Sequence, residues 1–158
     1  PGVTLFMRFA DCVPIFLFDP FKKVVGLAHA GWQGVVRQTA FYAIQAMQRS
    51  YGSSPANILA AIGPSIGPHH YEVGPEVAAQ VRQTFGADAA ELLQPSGNQN
   101  GDGRAFLNLW SANRLILQRA GVRQIEIAGI CTACGVDDWY SHRAEQGRTG
   151  RFGALIAL

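Results

Sequence analysis

The chain has 158 residues, 48% of them hydrophobic and 15% charged, which is enough apolar material to bury one core. Its 13 basic and 11 acidic residues leave a formal charge of +2, and the basic ones are scattered, so no nucleic-acid partner is expected. No apolar run approaches the roughly 18 residues that a membrane span needs, and an odd count of three cysteines points away from a disulfide framework and toward a reducing, cytoplasmic setting.

The chain opens in a strand-like segment, followed by two apolar strands at residues 13 to 18 (Val-Pro-Ile-Phe-Leu-Phe) and 23 to 28 (Lys-Val-Val-Gly-Leu-Ala). Between them lies the turn-forming run Asp19-Pro20-Phe21-Lys22. With Pro20 and Phe21 as central turn residues, Cys12 stands directly opposite His29. Opposed Cβ atoms in an antiparallel pair are about 4.5 to 5.5 Å apart, so a thiolate and an imidazole there can close on one metal ion. A slip of one residue would send them to opposite faces. Pro14, which cannot donate to a ladder, is the weak point of that register.

Each of these residues also has a plainer reading. Cys12 alone is a small buried hydrophobe, and His29 simply ends a strand. Asp11 in a regular strand points away from the Cys12 face and joins a site only where the strand ends or kinks.

The segment Ala30-Gly31-Trp32-Gln33-Gly34 leads into an amphipathic helix over 35 to 50, with Val35, Val36, Ala40, Ala43, Ile44 and Met47 at close to a 3.6-residue period. Amides at that helix start would attract phosphate or carboxylate, unless the glycines serve only a tight turn. Asn57 to Ile62 reads as a buried strand and Gly63 to Gly74 as a loop. In that loop His69 and His70 are expected to point apart, with a surface role.

Pro75 suits the first turn of a helix running to Phe85 and stopped by Gly86. Residues 94 to 104 lack an apolar anchor and are expected to be mobile. Asn108 caps a helix to Ala120 that ends at Gly121. Strands at 124 to 129 and 151 to 157 complete an α/β (α+β) chain, a single mixed-sheet domain with helices packed on the sheet. Cys131 and Cys134 have Cys-x-x-Cys spacing, but no second pair completes a four-cysteine site. Arg143, Arg148 and Arg151 lie in a polar loop near His142; such a loop is by default solvated, yet arginine's planar fork suits phosphate.

Several blocks together carry a resemblance: Ala10-Asp11-Cys12-Val13-Pro14, His29-Ala30-Gly31-Trp32-Gln33-Gly34, Ala61 to Pro68, Tyr71-Glu72-Val73-Gly74, Leu109-Trp110 with Asn113-Arg114, Gly129 with Cys131-Thr132, and Tyr140-Ser141-His142-Arg143 leading to Thr149-Gly150-Arg151. In this order they resemble the laccase-domain (YfiH-like) family, once described as polyphenol or multicopper oxidases. The resemblance spans nearly the whole chain and implies one laccase-family domain over 1 to 158.

It further implies zinc, rather than copper, held by Cys12, His29 and a third histidine in an upstream Gln-Val-His segment. That segment is absent here, so the chain is expected to lack its N-terminal portion and to be inactive alone, since catalytic zinc normally has three protein ligands. The implied activity is phosphorolysis of adenosine, inosine and methylthioadenosine, with adenosine deamination beside it. Asp11, Cys12 and His29 are the expected catalytic residues, and Gly31, Trp32, Arg143 and Arg148 the expected substrate or phosphate contacts. Trp32, Tyr140 or a phenylalanine would stack on the purine. The family often has arginine where this chain has Gln33, and a second arginine where it has Ala144.

Expected partners are a nucleoside and phosphate, with the protein a monomer or weak homodimer. Three alternatives stay open. A copper polyphenol oxidase would need many more histidines than the four present. A thiol hydrolase would use Cys12 as nucleophile and His29 as base. A scaffold protein would use the pair as a structural metal clip.

Overall fold

A computed structural model describes residues 2–96 and 103–158. Strand β1 (Thr4–Phe9) runs into a bend at residues 10 to 12, and then come β2 (Val13–Asp19) and β3 (Val24–Ala30). These last two form the predicted antiparallel hairpin, but its register differs from expectation. Pro14, not Cys12, is paired with His29, and Val13 with Ala30. The connection is four residues long, 20 to 23, instead of two. Asp19 organises it by accepting hydrogen bonds from the Phe21 and Lys22 amides at 2.9 and 3.0 Å, and Lys23 adopts a left-handed φ of 55°. The slip is two residues, so Cys12 keeps the face of Pro14 and becomes a diagonal neighbour of His29.

The hairpin belongs to a four-stranded sheet of order β3-β2-β4-β8, where β4 is Leu59–Ile62 and β8 is Gln124–Ile127. The β4 and β8 pair is parallel and the others antiparallel. Pro14 lies just outside the β2–β4 ladder, which begins at Ile15, so its missing N–H breaks no bond there; its carbonyl accepts from Gly63 N at 2.9 Å. Strand β1 pairs instead with β9 (Phe152–Ala157) in a two-stranded ribbon. A third small sheet has the order β5-β7-β6, formed by Glu72–Val73, Ala105–Leu107 and Leu93–Pro95. The result is a mixed α+β domain with three sheets in place of the expected one.

The helix expected over 35 to 50 is broken. Helix α1 (Trp32–Val36) starts earlier, and Gln38, left-handed at φ 59°, separates it from α2 (Thr39–Tyr51). The break lets α1 pack against α3 (Pro75–Phe85) and α5 (Leu109–Arg119) while α2 lies on β3. Helix α3 begins at Pro75 and α5 is capped by Asn108, whose side chain accepts from Ser111 N at 3.0 Å, as the sequence indicates. A short helix α4 (Ala89–Leu92) follows α3. Inward faces of these elements, including Ile15, Leu17, Ile44, Ile62, Leu107, Ile116 and Leu117, form one core. Of the segment expected to be mobile, Gln94 and Pro95 pair with Phe106 and Ala105, and Arg104 bonds to Glu72; residues 97–102 lie outside the described residues.

Candidate active site

At the end of the hairpin the loops around residues 71, 142 and 151 meet the bend at 10 to 12 and surround a cavity of about 420 Å³. Arg8, Asp11, Cys12, His29, Trp32, Tyr71, His142, Arg143 and Arg151 line it. That size falls in the range of small-molecule sites, and thiol, imidazole, arginine and aromatic groups converge in it. Another hollow, of about 230 Å³ over Phe16, Leu17, Phe18 and Leu59, is largely apolar sheet surface and lacks such a set of groups.

The bend exists because Asp11 is left-handed, with φ 75°. Asp and Asn are the side chains that tolerate this region best after glycine. The kink breaks the strand alternation, so Asp11 and Cys12 both reach the cavity. The buried carboxylate of Asp11 uses both oxygens: Oδ1 accepts from the Thr132 hydroxyl and Oδ2 from the Arg143 amide, each at 2.7 Å. The Asp11 carbonyl also accepts from Ile66 N at 2.9 Å. Asp11 thus fixes three distant segments around the cavity.

Cys12 sits against the backbone at Gly31, where a Cβ would lie 2.6 Å from its Sγ, so only glycine leaves room for the sulfur. Burial pushes the Cys12 thiol above its ordinary value, the Asp11 charge adds to this, and Arg151 opposes it. His29 is exposed at its edge, but one ring face stacks on Phe9 with centroids 4.4 Å apart, and loss of water there lowers its pKa below the ordinary 6.5. The ring is therefore neutral at pH 7, the form that ligates metal. A thiol and an imidazole are the donor types that zinc takes.

Arg143 is held on its cavity side by carbonyls. Its Nη1 donates to Glu72 O at 2.9 Å and to His70 O at 3.4 Å, and its guanidinium lies 5.2 Å from the centroid of the Tyr71 ring. Burial pushes the Tyr71 hydroxyl up to about 12, with Cys12 and Asp11 adding to this and Arg143 opposing it. Arg151 Nη1 bends back to the carbonyls of Gly150 and Thr149, at 2.6 and 3.1 Å. The loop carrying both arginines is folded around Glu145, which accepts from Ser141 N at 2.9 Å and from the Thr149 hydroxyl. These bonds hold the Glu145 carboxyl below its ordinary value.

Of the residues expected from the sequence, Asp11, Cys12, His29, Trp32 and Arg143 meet in the cavity, and Gly31 backs Cys12. Arg148 is not among the lining residues; its amide donates to Glu145 O. Tyr140 is also not among them, and packs where a Gly150 Cβ would stand 2.7 Å from its ring. The helix after Gly31 has only five residues, too short for the strong N-terminal field expected of a long helix. Arg8, Tyr71, His142 and Arg151 complete the lining; the sequence set Arg151 near His142 in an arginine loop suited to phosphate, but gave no such role to Arg8 or Tyr71. Arg151 could have been found from its neighbours, since it immediately precedes the strand that returns beside β1; Tyr71 and Arg8 carry no local signal.

His69 and His70 do not point apart. Pro68–His70 forms a 3-10 turn, not an extended segment, and both rings turn toward Cys134. Cys131 is buried, with Gly67 N donating to its Sγ at 3.1 Å.

Comparison with known proteins matches residues 1–158 to the family described as multi-copper polyphenol oxidoreductase laccase. The chain is 41% identical, over 99% of its length, to purine nucleoside phosphorylase YlmD of Bacillus subtilis, covering 55% of that protein. It is 40% identical, over 100% of its length, to a purine nucleoside phosphorylase of Deinococcus radiodurans, covering 58% of it. The crystal structure of hypothetical protein YfiH from Bacillus licheniformis superposes with a TM-score of 0.93 at 36% identity, over 100% of this chain and 58% of that one. The chain thus spans a little over half the length of these relatives.

Proposed function

The chain belongs to the multi-copper polyphenol oxidoreductase laccase family, and from that premise we propose that its cavity is the active site of a zinc-dependent purine nucleoside phosphorylase acting on adenosine, inosine and methylthioadenosine, with adenosine deamination as a related activity. The observation that carries this reading is the meeting of Cys12, His29, three arginines and two aromatic rings in one cavity. Relatives named purine nucleoside phosphorylase support it.

Cys12 and His29 are the residues that would hold the metal. When bound there, zinc supplies a Lewis acid and a bound water whose pKa falls to about 7, suited to deamination. In phosphorolysis a phosphate oxygen bonds to C1′ of the sugar as the bond from C1′ to the purine nitrogen breaks. The bonding pair leaves with the base, which takes up a proton. The chain's contribution is to place the phosphate and the nucleoside together and to stabilise charge.

Arg143 is suited to the phosphate: its carbonyl bonds and the Tyr71 ring fix the guanidinium before any anion arrives, so little side-chain freedom is lost on binding. Arg8 and Arg151 supply further positive charge to the same cavity. Trp32 or Tyr71 offers a face for the purine. Asp11 acts as a positioning residue, because both its oxygens are already bonded.

The test is an assay of inosine and phosphate turnover, with metal analysis, in the protein that carries this chain. Release of hypoxanthine and a sugar phosphate in step with bound zinc supports the reading. Full activity in metal-free protein, blocked by thiol alkylation, would favour the hydrolase and overturn it.

A further inference from the structure

Outside the cavity, two loops stand side by side. The loop at 63 to 70 and the loop at 129 to 135 are joined by a bridge between Ser65 and Cys131, with Ser65 N donating to Ile130 O and Thr132 N to Ser65 O, each at 3.1 Å. This junction carries the Pro68–His70 turn over Cys134. His69 Nε2 lies 3.1 Å and His70 Nε2 3.9 Å from Cys134 Sγ, and ligand atoms of all three residues fall within 4.8 Å of one another. Among the described residues it is the only group of three or more histidine, cysteine or carboxylate side chains so close together.

We propose that His69, His70 and Cys134 form a second metal site, which takes zinc through one thiolate and two imidazoles and leaves a fourth position open to water. The spacing is the first argument. Tetrahedral zinc with bonds of about 2.3 Å to sulfur and 2.0 to 2.1 Å to nitrogen sets its ligand atoms about 3.3 to 3.6 Å apart. The two sulfur–nitrogen distances of 3.1 and 3.9 Å bracket that value. The third pair of ligand atoms lies within 4.8 Å, so closing the site asks for side-chain shifts on the order of an ångström.

Donor type is the second argument. Sulfur with two imidazoles suits a borderline-soft late transition metal, and suits calcium or magnesium poorly. The surroundings are the third. Gly67 lets the His69 ring fold back over the chain, since a Cβ there would stand 2.7 Å from His69 Cε1 and 3.2 Å from Cys131 Cβ. Cys134 N donates to Cys131 O at 3.2 Å and Gly67 N donates to Cys131 Sγ at 3.1 Å, so these bonds fix the turn that presents the sulfur ligand.

All three ligands are exposed and none lines the cavity, so this site is a clip, not a second reaction centre. What it would brace is specific. The His70 carbonyl accepts from Arg143, and the neighbouring loop provides the Thr132 hydroxyl that binds Asp11. A metal joining residues 69, 70 and 134 ties together the two loops that hold Arg143 and Asp11. This inference does not depend on the cavity's reaction.

Cobalt(II) titration of the Cys12→Ser protein tests it, because cobalt bound to thiolate gives a sulfur-to-metal charge-transfer band in the near ultraviolet and Cys12 can no longer contribute one. We expect one equivalent of cobalt with that band, displaced by zinc, and loss of the band in Cys12→Ser/Cys134→Ser. His69→Ala and His70→Ala should each weaken binding. Gly67→Ala, which displaces the His69 ring without removing a ligand, should weaken it about 10- to 100-fold. Far-ultraviolet circular dichroism confirms that each variant is folded. Absence of the band from folded Cys12→Ser protein, or its survival in the double variant, overturns the proposal.

Discussion

The cavity at Cys12 and the cluster at Cys134 each bring a cysteine and histidine together, yet they differ in almost everything else. The inner group is partly enclosed, has arginines and aromatic rings around it, and offers one thiol and one stacked imidazole. The outer group has three donors at near-ligating distances but stands in solvent. The difference teaches that a complete ligand set and a reaction site are separate achievements. Donor count decides whether metal is held; the surrounding charge, shape and exclusion of water decide whether held metal meets a substrate.

The strongest way to break this comparison is to remove the inner donors. Cys12→Ala or His29→Ala should reduce inosine phosphorolysis to background, with circular dichroism unchanged; retained turnover in either would dissolve the functional distinction. Next in size is Asp11→Ala, which leaves the Thr132 hydroxyl and the Arg143 amide without their acceptor. Each stranded buried donor costs about 1 to 3 kcal/mol, so the loss on urea denaturation should be about 2 to 6 kcal/mol. A loss below about 1 kcal/mol would show that Asp11 does not organise the cavity.

Arg143→Lys sharpens the contrast further. A lysine cannot reproduce the fork that spans carbonyl, ring and anion. The phosphate KM should rise about 10- to 100-fold with a smaller change in kcat, as expected for a hydrogen bond to a charged partner worth about 1.5 to 3 kcal/mol. An unchanged phosphate KM would remove Arg143 from the anion site.

The pH dependence of the metal-free inner cysteine has a definite sign. Its folded pKa is raised above the ordinary 9.0, mainly by burial, so the stability from keeping it protonated is present below pH 9 and is lost as pH climbs through the folded value. Alkylation of Cys12 should titrate with a midpoint above 9.0, and Asp11→Asn should move that midpoint down by removing the neighbouring charge. A midpoint at or below 9.0 in the parent would contradict the assignment. The smallest expected effect is that of Arg148→Ala. This residue is exposed and outside the cavity lining, so turnover should change by less than about twofold.

What was legible in the sequence was local. Pro75 and Asn108 mark helix starts because their own ring or side chain settles the first turn, and both appear where expected. The face shared by Cys12 and His29 was also legible, since alternation survives a two-residue slip. The register itself was not, because the four-residue turn places Lys23 in a left-handed conformation that lysine does not announce. The break at Gln38 was hidden for the same reason, behind a continuous apolar period. The convergence of His69 and His70 on Cys134 depends on a bridge between residues 65 and 131, and Tyr71 and Arg8 enter the cavity only through tertiary packing. None of these leaves a mark within a window of neighbouring residues.

The bonds of Asp11 also bear on when the site can exist. Its hydrogen-bond partners lie 121 and 132 positions further along, so a ribosome must release most of the chain before either can arrive. Until then the left-handed bend at residue 11 is held only through its carbonyl, which accepts from Ile66 N. The nascent hairpin would carry a solvated carboxylate beside a bare thiol, open to oxidation or stray metal, and synthesis of the last third is what ends that exposure.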